Sequence, residues 1–343
     1  GCPLGGLLFI LSIASIAEGV ALRFPGVTIL GFADDYRFLG PQQEAMDAAA
    51  EYRRLVIEAG HVDQTEKAWA FSFSQATIDA AKLHPLALIT SPTGDKLRFA
   101  PPESGLRTVG SPVGTSDYRR TWCLEYISDK VQPLLEAVKE LALYEGKGEN
   151  GAQAAFTILR YSASSKLTHL LRSTPPSLIN EAALAHDNAI TDCLAHILDH
   201  TNPTLFSEGS SSSAATQAAL PTQQGGLGLG SAQLTSRPAF LASWIDFLRF
   251  NHARPSFIPA LTSTLSPSSL ASNLNPDIVQ LRLVWSGLVA RLTRPDPSSG
   301  IIVGGEYELR NVLGAHVHSV SDLATAKSLS QKDLTTLCMR DLT

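Results

Sequence analysis

The sequence predicts an α+β chain, and three observations carry that expectation. Short β-branched and apolar runs bounded by turn residues crowd the first 110 or so residues, and helical periodicity replaces them beyond Thr115. With 44% hydrophobic residues, a 343-residue chain can also bury core enough for two domains.

From Pro3 to Leu22 the apolar residues are broken only at Glu18, which predicts a buried helix after a glycine-rich turn, ended by Pro25 and Gly26. VTILGFA, residues 27–33, has strand length and composition, and YRFLG, residues 36–40, alternates as a paired strand does. Asp34 and Asp35 stand between them, so a tight hairpin with acids at its tip is expected. Met46, Ala49, Tyr52, Leu55, Val56 and Ala59 recur at helical spacing over residues 41–60, a surface helix closed by Gly60. Short strands are expected at 69–73, 86–90, 97–100 and 107–109.

Long helical patterns then cover 116–143, 152–171 and 178–198. Residues 206–219, rich in serine, read as a flexible linker. Beyond it helices are expected at 239–250, 277–292 and 320–337, and GGLGLG at 225–230 reads as a turn before a helix. The organisation is therefore 1–114, 115–205, the linker 206–219 and a mostly helical extension over 220–343.

The balance of 27 Lys+Arg against 32 Asp+Glu gives −5, so bulk charge does not point to nucleic acid, and any basic face must be local. Between Arg172 and Arg237 there is no Lys or Arg, whereas Arg119, Arg120, Lys130, Lys139, Arg160, Lys166 and Arg172 fall in the helical part before it. Four scattered cysteines with no CxxC pair speak against a zinc knuckle and a disulfide framework. Asp192, Cys193, His196 and His200 have helical metal-ligand spacing, but the simpler reading is a polar helix end. The apolar run at 6–17 lacks a basic leader and is shorter than the roughly 20 residues of a bilayer span. No membrane is expected, and the location is intracellular, in nucleus or cytoplasm.

Two adjacent carboxylates raise each other's pKa, a cost that a divalent cation removes. Magnesium takes one or two carboxylates, keeps waters and accepts substrate phosphates, as two-metal nucleotidyl transfer requires. Alone, Asp-Asp in a hairpin is more often an ordinary turn.

The context adds to it. GCPLGGLLF at 1–9, a helix, then GFADDYRFLG at 31–40 resembles, in order, spacing and residue type, two consecutive motifs of reverse transcriptases of non-LTR-type retrotransposons. Lys67 before AWAFSF is similar to their palm-lysine segment, VGSPVGTSDYRR at 109–120 to the segment closing the palm, and residues 220–244 to a segment downstream of the polymerase core. The likeness is strong over 1–40, fair to about 120 and patchy afterwards.

The resemblance implies a partial polymerase palm over 1–114, a helical thumb over 115–205, and RNA-directed DNA synthesis with an RNA template, a DNA primer and deoxynucleoside triphosphates. It implies Asp34 as catalytic magnesium ligand, with manganese as an alternative ion, and Asp35 as its weaker partner. It places Phe32 and Ala33 beside the primer terminus or incoming nucleotide, and Gly1, Pro3 and Gly5 in a loop against the template. Lys67 would act on the pyrophosphate leaving group. Cys2 and Gly6 depart from the pattern, where an acid and a proline are usual. The first catalytic aspartate and the fingers are expected in an upstream portion of the same polypeptide, so the fragment alone is expected to be inactive. The alternative is a decayed or co-opted element product that binds RNA, or acts as a scaffold, without catalysis.

Overall fold

Apolar residues uninterrupted by proline wind residues Gly5–Arg23 into α1, and the chain leaves it at Phe24, ahead of Pro25 and Gly26. The structure, a computed structural model, describes residues 3–62, 67–90, 96–146, 149–198 and 212–251, with 277, 279–281, 283 and 284. It divides into two units, Gly1–Arg119 and Arg120–Thr343.

In the first unit α1 is followed by the antiparallel pair β1 (Thr28–Phe32) and β2 (Asp35–Leu39), then α2 (Gln42–Glu58). Strand alternation sends Ile29 and Phe38 inward, where they join Val20, Val27, Ala48 and Leu55. Tyr36 and Phe38 rest on the Tyr52 ring of α2, at centroid distances of 4.8 and 5.4 Å. Gly31 lies opposite Tyr36, and a Cβ there would come within 2.7 Å of the tyrosine ring, so the ring crosses the strand only because residue 31 is glycine.

The predicted burial of the first helix is corrected. Only Ile13 and Val20 of α1 are buried, while Leu4, Leu7, Leu8, Phe9, Ile10 and Leu11 are exposed, because the described residues pack against its second half. By length and composition α1 is also long enough to cross a bilayer, which core helices and signal sequences equally satisfy.

Next come β3 (Trp69–Ala70), α3 (Gln75–Lys82), α4 (Pro85–Leu88) and β4 (Arg98–Phe99), with β3 and β4 paired in parallel. The strand expected at 86–90 is a short helix instead. Pro85 occupies its first turn, where no amide is needed, and the His84 ring accepts from the Leu86 amide at 3.1 Å. Leu97 and Phe99 pack with Met46, Ala81, Leu86 and Ala87. A second hairpin, β5 (Gly105–Thr108) and β6 (Ser111–Gly114), turns at Val109 and Gly110, both at positive φ.

The second unit begins within α5 (Ser116–Tyr126), which runs through a π turn at Ile127–Val131 into α6 (Gln132–Ala142). A small antiparallel pair, β7 (Glu145–Gly146) and β8 (Glu149–Asn150), leads to α7 (Gly151–Ile158). A second π turn, Leu159–Ala163, and α8 (Thr168–Ser173) precede α9 (Pro176–Ile197). Ile127, Val131, Leu135, Leu159, Leu167, Leu170, Ile179 and Leu194 form its core.

Of the residues expected as a flexible linker, 213–219 form α10 (Ser213–Ala219), and 206–211 lie outside the described residues. Alanines favour the helix, and Ser212 caps it by accepting from the Ala215 amide at 3.1 Å. The glycine turn 225–230 does precede a helix. Its amides return to the carbonyls that end α10: Gly228 to Leu220 at 2.9 Å, Gly230 to Ala219 at 3.2 Å. The last described helix, α11, spans Ala232–Asn251. It starts seven residues before the expected 239, running through Pro238, because its first turn is capped by Asp187 and Ser231. The helices expected at 277–292 and 320–337 fall largely or wholly outside the described residues.

Candidate functional site

The β1–β2 register pairs Phe32 with Asp35, so Ala33 and Asp34 alone make the turn. Ala33 has φ 54° and Asp34 does not share the positive φ, the pattern of a II′ turn, whose first central position favours glycine. An alanine held there is strained, and such strain persists only where surrounding structure fixes it. Among the described residues only Ala33 and Val109 combine a side chain with positive φ.

Both strained residues belong to hairpin turns, and one side chain ties the hairpins together. Arg37 lies two residues after Asp35, on the same strand face, and its Nε donates to Thr108 Oγ1, the residue before Val109. Its Nη1 reaches the Asp35 carbonyl at 3.3 Å and its Nη2 stands 3.5 Å from the Asp35 carboxylate. Asp35 is thus partly engaged, with 61% of its side chain exposed. Asp34 is exposed and has no hydrogen bond or ion pair among the described residues.

Phe32 ends β1 with 64% exposure, and with Leu30 it lies on the hairpin face turned away from α2. The expected site residues 32–35 are therefore brought together by one turn. Pro3 lies in the turn before α1 and Gly5 is the first residue of that helix, while Gly1 lies outside the described residues. Lys67 is exposed ahead of β3. No hydrogen bond or ion pair among the described residues joins Pro3, Gly5 or Lys67 to the hairpin tip. Arg37 and Thr108 were not expected from the sequence. The alternation of β2 carries a signal for Arg37, whereas the tie to a residue 71 positions away has none.

Asp34, with no partner among the described residues, and the partly engaged Asp35 are the two carboxylates here that could offer oxygen donors to a divalent cation. Among the described residues no group of three or more His, Cys, Asp or Glu is assembled. Asp192 pairs with Lys139 at 2.8 Å, and Cys193 is buried in the helical core, where burial pushes its thiol up to about 11. His200 lies outside the described residues.

Beside α2 a cleft of about 530 Å³ is lined by Arg23, Phe24, Asp47, Ala50, Glu51 and Arg54. Its charges are spent on each other: Arg54 holds the Glu51 carboxyl below the usual carboxylate range, with Arg23 assisting. In the second unit Asp187, 7% exposed, accepts from Ser231 Oγ at 2.6 Å and from the Ala232 and Gln233 amides at 2.7 and 3.1 Å. That is a helix cap, not a reaction centre.

No family model matches this chain, and neither a curated protein nor a solved structure matches it.

Proposed function

We propose that the chain is part of an RNA-directed DNA polymerase of the non-LTR retrotransposon type, with Asp34 and Asp35 in its metal site. The observation that carries the reading is the tip itself: two adjacent, exposed carboxylates, Asp34 in a strained two-residue turn and Asp35 at the start of β2, the first with no partner among the described residues. The order of motifs upstream of that turn supports it. In this reading the first unit contributes part of a palm, and the helices after it a thumb and an extension.

Bound magnesium would neutralise the triphosphate and lower the pKa of the primer hydroxyl. The chain's own residues set the stage for that. Asp34 supplies an oxygen with no other partner among the described residues, and Arg37 stands beside Asp35, at 3.3 Å from its carbonyl and 3.5 Å from its carboxylate. Ala33 keeps the turn narrow enough for a primer end to approach, and the exposed Phe32 ring offers a surface to a base. Lys67 would hold a proton for the departing pyrophosphate. The remaining carboxylate that two-metal chemistry needs would come from the upstream portion of the polypeptide. RNA template, DNA primer and deoxynucleoside triphosphates are the partners, inside the cell.

Manganese binding followed by electron paramagnetic resonance tests this, with manganese standing for magnesium. Asp34→Asn should weaken the ion by about tenfold or more, and Asp35→Asn by less. Equal affinity in the wild type and in Asp34→Asn overturns the assignment. In the full-length polypeptide, Asp34→Asn should abolish magnesium-dependent primer extension, and a variant extending at the wild-type rate would overturn it equally.

A further inference from the structure

The outer face of the β3–β4 pair gathers groups that no step above requires together. Trp69 and Arg98 are direct cross-strand partners, and the Arg98 guanidinium lies 5.6 Å from the Trp69 ring centroid, within the range of a cation–π contact. Lys96 precedes Arg98 by two residues and is exposed as Arg98 is, while Leu97 between them is not; Lys67 is exposed in the turn just ahead of β3. Leu97 and Phe99 alternate with those cations and point the other way, into the cluster with Met46, Ala81, Leu86 and Ala87. The Arg98 amide bonds to Ala68 and the Ala100 amide to Ala70, at 3.1 and 3.0 Å. A packed floor therefore holds the face in place.

What the face exposes is unusual for this chain. Trp69 is 50% exposed, and Lys67, Lys96 and Arg98 are exposed beside it. None of the three cations has an ion pair or a side-chain hydrogen bond among the described residues. Asp79, an acid of the neighbouring α3, is already bound by Lys82 at 3.1 Å and Gln75 at 2.7 Å. Among the described residues, then, a protein of net charge −5 leaves one half-open indole with an arginine over it and two lysines nearby in sequence, none of the three cations carrying an ion pair. A lone solvated lysine needs no explanation, but an indole left half open with a guanidinium lying over it is a surface built for a flat, anionic partner.

We propose that this face binds a single-stranded nucleic acid, with an unpaired base stacked on Trp69 and neighbouring phosphates held by Arg98 and Lys96. Lys67 adds to the attracting field. An indole can stack only on a base that is not already paired, which selects a single strand over a duplex. Arginine and lysine hold the backbone without reading sequence, so the preference is for strandedness rather than for a particular base order. The site extends the nucleic-acid reading above, but it uses neither Asp34 nor Asp35 and needs no divalent ion. The two can therefore fail separately.

The test is fluorescence anisotropy of a labelled oligouridylate of about twenty nucleotides, titrated with the whole chain in EDTA at several salt concentrations. Trp69→Ala should weaken binding by about tenfold, the loss of one stack, while Trp69→Phe stays within about threefold and shows that the fold survives. Arg98→Ala and Lys96→Ala should each flatten the slope of log affinity against log salt by about 0.7. Because EDTA removes any divalent ion, this binding reports on the β3–β4 face apart from the metal site. Unchanged affinity and salt slope in Trp69→Ala and Arg98→Ala overturn the proposal. So does a duplex that binds as tightly as the strand, and so does a polyglutamate peptide that displaces the oligonucleotide at equal charge, which would make this an acidic-peptide surface.

Discussion

Replacing Asp187 by alanine should destabilise the protein more than a change at a polar helix residue ordinarily does. The carboxylate is 7% exposed and satisfies three donors at the start of α11: Ser231 Oγ, the Ala232 amide and the Gln233 amide. Ser231 Oγ in turn accepts from the Leu234 amide at 3.2 Å, so the two side chains together serve the whole first turn. A hydrogen bond to a charged group contributes about 1.5–3 kcal/mol, and a buried amide left without a partner costs about 1–3 kcal/mol. The serine keeps its own bond to Leu234 in the variant, and Gln233 is less buried than Ala232, so the three losses do not simply add. We expect a loss of about 3–5 kcal/mol for Asp187→Ala and about 1–2 kcal/mol for Asp187→Asn, which retains one acceptor. Urea unfolding followed by far-UV circular dichroism reads this directly. At about 2–3 kcal/mol per molar, the alanine variant's midpoint should fall by about 1–2.5 M. A fall below about 0.3 M would refute the reasoning, because α11 would then hold its first turn without the aspartate.

Three further outcomes follow from single residues. Ala33→Gly should stabilise the fold by up to about 1 kcal/mol, a rise of about 0.3–0.5 M in the urea midpoint, because the alanine is exposed and its positive φ is relieved; a lower midpoint would show that the methyl matters. The His84 hydrogen bond holds the Asp47 carboxyl below its ordinary 3.8. A depressed carboxyl stabilises the fold above its unfolded value and loses that contribution as pH falls through the folded one. The stability gap between wild type and Asp47→Asn should therefore be smaller at about pH 3 than at about pH 6, and an equal gap in urea titrations at both would refute the pairing. Cys193, with its thiol pushed up to about 11 by burial, should be alkylated by iodoacetamide at least about a hundredfold faster after unfolding than before; peptide mapping of the native protein that shows rapid Cys193 modification would contradict this.

Much of the fold is legible where one local signal decides the outcome. The hairpin at 28–39 follows from two alternating runs around an acid pair, and α2 follows from its apolar stripe. Legibility fails where a remote partner decides. Residues 86–90 have strand composition, but the first turn is set by Pro85 and by a His84 ring held on Asp47, 37 positions away. Pro238 reads as a boundary, yet α11 passes through it because Asp187 secures the preceding turn. Asp187 itself reads as one more charge in an acidic stretch, since nothing local distinguishes a buried cap from a solvated carboxylate.

The candidate site divides along the same line. Its carboxylates and their place at a turn are local, whereas the reason the turn can be strained is not. A positive φ at Ala33 costs free energy that the turn alone does not return. The compensation is distributed: Tyr36 and Phe38 anchor one face of the hairpin on Tyr52, and Arg37 anchors the other on Thr108. Each anchor sits within a few residues of the tip, on opposite faces of β2. With both sides held, the backbone at Asp34 is set by the turn, and its carboxylate makes no hydrogen bond or ion pair among the described residues. A carboxylate needed only for stability would be expected to carry partners, as Asp187 does. Asp34, exposed at a turn held from both sides and without a partner among the described residues, is where the proposed metal ligand would have to act.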